Sequence, residues 1–187
     1  FEPKFVESGK DFTVTEVGPG IRLIHAGNPL NDLFALQVRM EQGYRHQSLL
    51  PYAKRMLDRS GAGEVSAENL KIEWYKLGTD FAFGVRDRLS SFSLSGLDEN
   101  LESSLDLAYQ LMRAPNISPE KWEESKKIIL AERDDEQKDP RSLSNALAHF
   151  HRYGEKSRFL DRPSDAELNA TSVDGLSKLL NDVLQVE

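Results

Sequence analysis

Hydrophobic and polar residues alternate in the first forty positions of the chain as they do in half-buried β-strands. Two short β-rich runs, 12–16 and 21–25, are separated by residues 17–20, where Gly and Pro favour a turn. A third run, 33–40, also alternates apolar with polar side chains. The pattern predicts a β-hairpin followed by a third strand.

From Ser48 the apolar residues follow the 3.6-residue spacing of a helix, which we expect to end at the glycines of residues 60–63. A second helix is predicted from Ser66, an N-cap residue, to Gly78. Runs 80–85 and 90–97 then predict a second hairpin. On this hairpin, Phe81 and Phe83 mark one face, and Phe92 and Leu94 are expected to mark another.

The rest of the chain has a helical pattern. One helix is predicted over 98–113, with an inward stripe of Leu101, Leu105, Ala108 and Met112. Ser118 followed by Pro119 predicts a helix start, and this helix is expected to reach about Gln137. Shorter helices are predicted over 142–152, over 164–169 with the capping-box spacing Ser164…Glu167, and over 171–186.

This order of elements indicates the fold class. Strands linked as hairpins, with helices between and after them, predict an α+β domain whose sheet is mostly antiparallel, with helices packed mainly on one face. The length of 187 residues fits one domain, 1–187, in which residues 1–11 form an N-terminal lead-in.

Composition and charge exclude several partners. A net charge of −7 and a pI of about 5.2 argue against nucleic acid and anionic lipid. No apolar run approaches the roughly 20 residues of a membrane span, so a soluble chain is expected. The absence of Cys excludes thiolate zinc sites but leaves cytoplasm and periplasm both open. The first residue, Phe1, indicates a piece of a longer or processed protein.

Five segments, in this order and spacing, carry a resemblance to a known family: 20–24, 33–43, 66–78, 95–101 and 117–132. With them the chain resembles the repeating half-domain of the pitrilysin/insulinase-type zinc metallopeptidases over about residues 12–186. The resemblance implies a metallopeptidase-like half-domain, with other half-domains of the same parent chain as partners. It also implies zinc in the catalytic module of that parent.

Active members of that family carry His-x-x-Glu-His on their first long helix, where two His bind zinc and the Glu activates water. In this sequence the motif falls on residues 51–55. The first ligand position is then Pro51, the general base Lys54 and the second ligand Arg55. Lys and Arg are cations without a free lone pair at neutral pH. We therefore expect neither catalysis nor a metal in this domain.

The family's remaining site positions are carried over in the same way. The third zinc ligand, a Glu separated from the motif by about 76 intervening residues, corresponds to Glu132, and a second acid on that helix corresponds to Ser125. The edge strand that helps place the substrate backbone corresponds to Phe81 and Ala82. Together with Phe83 these residues are the candidates for peptide binding.

Two interpretations of Glu132 compete. It is either a solvated acid in the charged run 132–136 or a partly buried acid on a stripe with Trp122 and Ile129. The stripe favours partial burial, and a buried carboxylate needs a partner. We therefore predict an ion pair between Glu132 and either Arg55 or Lys54.

The four histidines do not predict a metal site elsewhere in the chain. His149 and His151 are two residues apart, so on a helix they point in nearly opposite directions, and Phe150 between them is expected in the core. His25 and His46 lack acidic or His neighbours at ligand spacing.

Three functions remain in comparison. The first is a catalytically inactive structural or peptide-binding module of a larger zinc metallopeptidase that degrades peptides. The second is an assembly module similar to the family's non-catalytic subunits. The third, an active zinc hydrolase, requires ligands that the sequence does not offer.

Overall fold

The computed structural model describes residues 5–184. Residues 1–4 of the expected lead-in, and the expected end of the last helix at Val186, lie outside that range. The strands are β1 (Thr13–Gly18), β2 (Ile21–His25), β3 (Leu33–Met40), β4 (Gly61–Ala62), β5 (Asp80–Val85), β6 (Ser90–Leu97) and β7 (Pro115–Asn116). The helices are α1 (Leu50–Leu57), α2 (Ala67–Leu77), α3 (Leu101–Arg113), α4 (Pro119–Lys138), α5 (Pro140–Tyr153), α6 (Asp165–Ala170) and α7 (Val173–Leu184).

Strands β3, β6 and β5 form an antiparallel sheet in that order. Period-2 alternation turns Phe83, Leu94 and Met40 inward, and all three are buried. Ser93 and Ser95 lie on the opposite face. The predicted α+β class, with an antiparallel sheet and helices mainly on one side, is confirmed. β3 and β5 form the two edges of this sheet.

The expected split of the second hairpin into two aromatic faces is wrong. Phe83 lies directly opposite Phe92, and Phe81 opposite Leu94. Directly paired residues of antiparallel strands share a face, so all four side chains point toward the helices.

The β1–β2 hairpin is present as predicted, paired from Thr13↔His25 to Gly18↔Ile21. It forms its own two-stranded sheet, and its apolar side chains on both faces are exposed, among them Val17 and Ile24.

Helix ends follow the predicted local chemistry in most places. Ser66 caps α2, which ends at Gly78 with φ +58°, in the left-handed region that Gly adopts without strain. Ser118 caps α4, and the capping box of Ser164 and Glu167 opens α6.

The end of α1 differs from the prediction. The helix stops at Leu57, and Gly61 belongs to the two-residue strand β4, which pairs with β7. A Cβ at Gly61 would lie 2.0 Å from the carbonyl oxygen of Val65. The glycine therefore permits a close backbone approach and does not cap the helix.

The hydrophobic core lies between the sheet and the helices. α1 packs against α7, and the side of α4 that carries Trp122 and Ile129 closes the core. The indole nitrogen of Trp122 donates to the backbone oxygen of Thr171, 2.8 Å away, which fixes the start of α7 against α4. The core therefore fixes the mutual positions of α1 and α4.

Candidate site between helices α1 and α4

Helix α1 turns Leu50, Ala53 and Met56 into the core, so the intervening positions face outward. Pro51, Lys54 and Arg55 are all partly exposed. Pro51 lies in the first turn, where the missing N–H costs no helical hydrogen bond. The three positions that the sequence resemblance assigned to the zinc motif thus lie on the accessible side of the helix.

Arg55 binds Glu132 of α4 in a two-pronged ion pair. Its Nη1 donates to Oε2 at 3.1 Å and its Nη2 donates to Oε1 at 3.3 Å. The predicted pair is therefore present with Arg55. Lys54 instead binds Asp58 one turn along α1.

The expected partial burial of Glu132 is wrong, because its side chain is 55% exposed. The inward face of α4 continues from Ile129 to Arg133, four residues on, and not to Glu132, three residues on. Ser125, to which the resemblance assigned the second acid, is fully buried on this inward face.

Arg133 is the residue that the sequence reasoning missed. Its side chain is only 9% exposed. Nη1 donates to Asp165 at the start of α6, and Nη2 donates to the Tyr52 hydroxyl at 2.8 Å. The guanidinium carbon also lies 6.0 Å from the centre of the Tyr52 ring, a cation–π distance.

Burial opposes the charge of Arg133, but its hydrogen bonds to Tyr52 and Asp165 outweigh burial and raise its pKa above the ordinary value. Nε of Arg133 is buried without a hydrogen-bond partner among residues 5–184.

Two contacts join α1 to α4. Tyr52 lies within residues 51–55, the segment assigned to the motif, so the Tyr52–Arg133 contact is close to the Arg55–Glu132 pair. One sequence signal for Arg133 exists, namely its four-residue spacing from Ile129.

A zinc ion does not fit the residues at these positions. Pro51 offers no side-chain donor atom, while Lys54 and Arg55 are cations. Both oxygens of Glu132 are already bound by the guanidinium of Arg55. Within residues 5–184 no three His, Asp or Glu side chains converge as metal ligands would.

The peptide-binding candidates lie on β5, which is an edge strand. Phe81 stacks between Trp74 and Phe92, with ring centres 5.6 and 6.5 Å apart. Phe83 is buried. Ala82 is exposed on the face away from the helices, and within residues 5–184 β5 pairs only with β6, so its outer edge has no partner strand there.

The histidine segment of α5 differs from the prediction. Phe150 is exposed, and His149 points inward, where its Nδ1 lies 3.1 Å from the Ser157 hydroxyl and its ring lies 4.4 Å from that of Tyr153. The apolar side of α5 therefore does not face the core.

No protein-family model and no curated protein sequence matches the chain. Solved structures do. The ferredoxin protease FusC, solved with Arabidopsis ferredoxin, matches 97% of this chain with a TM-score of 0.77 at 19% identity. A peptidase M16 inactive domain from Pseudomonas fluorescens matches 91% (TM-score 0.73, 17% identity). The periplasmic protease PqqL from Escherichia coli matches 94% (TM-score 0.78, 17% identity).

These matches show that the chain has the fold of a half-domain of M16-type peptidases. The chain spans 22% of FusC, 42% of the P. fluorescens domain and 20% of PqqL, so it corresponds to one part of each longer chain. None of the helices described over residues 5–184 combines the length and apolarity required to cross a bilayer.

Proposed function

We propose that this chain is a catalytically inactive module of a larger pitrilysin/insulinase-type zinc metallopeptidase, in which it shapes the peptide chamber and binds peptide. The observation that carries the proposal is the Arg55–Glu132 pair. Two residues 77 positions apart, identified by the spacing of the second and third zinc ligands, meet at 3.1 Å. Their contact supports this alignment of the sequence with the family's zinc motif, which we call the motif register. The guanidinium of Arg55 supplies the positive charge that a metal would otherwise bring.

Rebuilding the motif tests this register. The triple variant Pro51→His, Lys54→Glu, Arg55→His should bind about one zinc per chain, because two imidazoles and Glu132 would then converge. Metal content after dialysis, and cobalt absorption spectra, measure it. The unmodified chain should retain no zinc.

Two matched variants control the experiment. Adding Glu132→Ala to the triple variant should remove the zinc, whereas adding Asp134→Ala, an acid half a turn away on α4, should not. A folded triple variant that binds no zinc would contradict this alignment of the sequence with the zinc motif. Stoichiometric zinc in the unmodified chain would contradict the proposed inactivity.

Peptide binding would use the β5 edge. An extended peptide can add a strand to an open sheet edge through backbone hydrogen bonds. The outer face beside this edge carries small side chains, including Ala82 and Ser93. This chemistry recognises extended backbone and needs no metal.

A pair of alanines on the two edges gives a matched test. Ala82 on β5 and Ala35 on β3 are both exposed and flank β6 on the same face, because they pair with Ser93 and Ser95. Ala82→Lys should weaken the binding of a fluorescent unfolded peptide, measured by anisotropy with EDTA present, about tenfold. Ala35→Lys should not. Weaker peptide binding by Ala35→Lys alone would assign the peptide site to β3. An unmodified chain that binds no peptide would favour the second function, an assembly module.

That second function is an assembly module. The exposed apolar side of α5 favours it, because monomeric proteins rarely leave such a stripe uncovered. An assembly module should bind another half-domain and ignore unfolded peptide.

A further inference from the structure

The connection between α5 and α6 crosses a cavity beside α4. Residues 157–164, which we call the strap, form neither helix nor strand. The backbone N–H groups of Leu160 and Asp161 both donate to the carbonyl oxygen of Ser157, at 2.8 Å. A single hydrogen-bonded turn is not stable alone in water, so the strap is ordered by its contacts with the rest of the domain.

Both ends of the strap are fixed to the folded body. Ser157 is fully buried, and its hydroxyl lies 3.1 Å from Nδ1 of His149 on α5. At the other end Pro163 is buried and Ser164 caps α6. Between them Leu160 is 59% exposed. The strap therefore has anchored ends and an exposed middle.

Two ion pairs hold the middle of the strap. Asp161 lies 3.5 Å from Nη1 of Arg45, in the loop between β3 and α1. Nη1 of Arg162 donates to Glu136 of α4 at 2.7 Å. All four side chains are partly exposed to solvent, and ion pairs of this kind stabilise a contact only weakly.

Packing beneath the strap is incomplete. A cavity of about 290 Å³ lies between the strap and α4. The strap lines it with Phe159, Leu160 and Pro163, and α4 lines it with Arg133 and Gln137. The strap thus crosses a gap instead of resting on α4. A segment with few buried apolar contacts opens locally at low cost in free energy.

We propose that the strap is a lid that opens as one unit while the rest of the domain stays folded, and that the two ion pairs set the population of the open form. Opening brings solvent to Arg133, whose side chain is only 9% exposed when the strap is closed. Because Arg133 binds Tyr52 of α1, the strap controls access to the buried contact between α4 and α1.

The open form remains a minor population, since the anchored ends return the strap to its closed position. This inference does not depend on the proposed inactivity or on the motif register.

Native-state hydrogen exchange of the whole chain, followed by NMR, tests the proposal. The amides of Leu160 and Asp161 report on opening, because their hydrogen bonds break when the turn detaches. They should exchange about a hundredfold faster than the amides of Ile129 and Leu130 in α4. In 1 M NaCl, where the screening length falls to about 3 Å, this ratio should rise about tenfold.

Two variants each remove one ion pair. Asp161→Asn and Glu136→Gln should each raise the exchange rates of the two strap amides about threefold, and the double variant should raise them about tenfold. Asp134→Asn is the matched control, because Asp134 lies two residues before Glu136 on α4 and pairs with Lys138 of the same helix. It should leave both rates unchanged.

Three outcomes would overturn the proposal. Strap amides that exchange as slowly as those of α4 would show that the strap opens only when the whole domain unfolds. Strap amides that exchange at the rate of an unfolded chain in every variant would show that the ion pairs do not hold the strap closed. An equal acceleration by Asp134→Asn would show that the loss of any charge near the strap, and not of these two pairs, loosens it.

Discussion

Two neighbouring residues of α4, Glu132 and Arg133, each form an arginine contact with α1, one exposed to solvent and one buried. Arg55 and Glu132 meet at the surface, where their side chains are 31% and 55% exposed. Arg133 is almost enclosed between Tyr52 and Asp165. The Arg55–Glu132 contact, which the motif spacing identified, is therefore expected to contribute less to the free energy of unfolding than the contacts of Arg133.

Solvent explains the difference. An exposed ion pair gains little, because water already solvates both charges and salt screens them; such pairs contribute about 0–1 kcal/mol. Arg133 combines a buried aliphatic stem, a hydrogen bond to Tyr52 and a cation–π contact, so its removal affects packing as well as charge.

The largest effect is therefore expected from Arg133→Ala. Removing one partner of a fully buried pair costs about 3–5 kcal/mol, but Asp165 is 65% exposed and water can solvate it once it is unpaired. We expect a loss of about 2–3 kcal/mol in the free energy of unfolding, measured by urea denaturation.

Arg133→Met is the matched control for that variant. Methionine keeps most of the apolar stem and introduces no unpaired donor, so it should recover about half of the loss. Wild-type stability in Arg133→Ala would show that the cluster has no structural role.

Local features of the fold were predictable from the sequence, and features that depend on distant partners were not. Ser66 and Ser164 cap their helices through contacts within three residues, which a sequence pattern contains. The burial of Arg133 depends on Tyr52 and Asp165, which lie 81 and 32 residues away. From Trp122, Ser125 and Ile129 alone, the inward stripe of α4 continues equally well to residue 132 or to residue 133.

Leu105 on α3 and Phe150 on α5 give a second example, because both are exposed although their spacing predicted burial. Periodicity identified Leu105 and Phe150 as apolar positions on helices, but it cannot tell whether this chain or a partner covers them. The Arg55–Glu132 contact was predictable only because a resemblance supplied a spacing that no local pattern contains.

Tyr52→Phe should have the intermediate effect. It removes the hydroxyl that accepts from Nη2 of Arg133 and keeps the ring beneath the guanidinium. A buried donor left without its partner costs about 1–2 kcal/mol. A double-mutant cycle with Arg133→Met isolates the hydrogen bond, because Tyr52→Phe should cost almost nothing once Arg133 is Met. An unchanged cost in that background would mean that Tyr52 acts through packing elsewhere.

Glu132→Gln should have the smallest effect and should separate the two contacts most clearly. The amide keeps the shape of the side chain and one hydrogen bond to Arg55 but loses the charge, so the cost should be about 0.2–1 kcal/mol at low salt. In 1 M NaCl the screening length falls to about 3 Å, and the cost should vanish. The loss caused by Arg133→Ala should persist in the same salt, because packing is not screened. If salt reduces the losses of both Glu132→Gln and Arg133→Ala to the same degree, water reaches both arginines, and the contrast between a surface pair and a buried one does not hold. If salt changes neither loss, Glu132 contributes through packing and not through its charge.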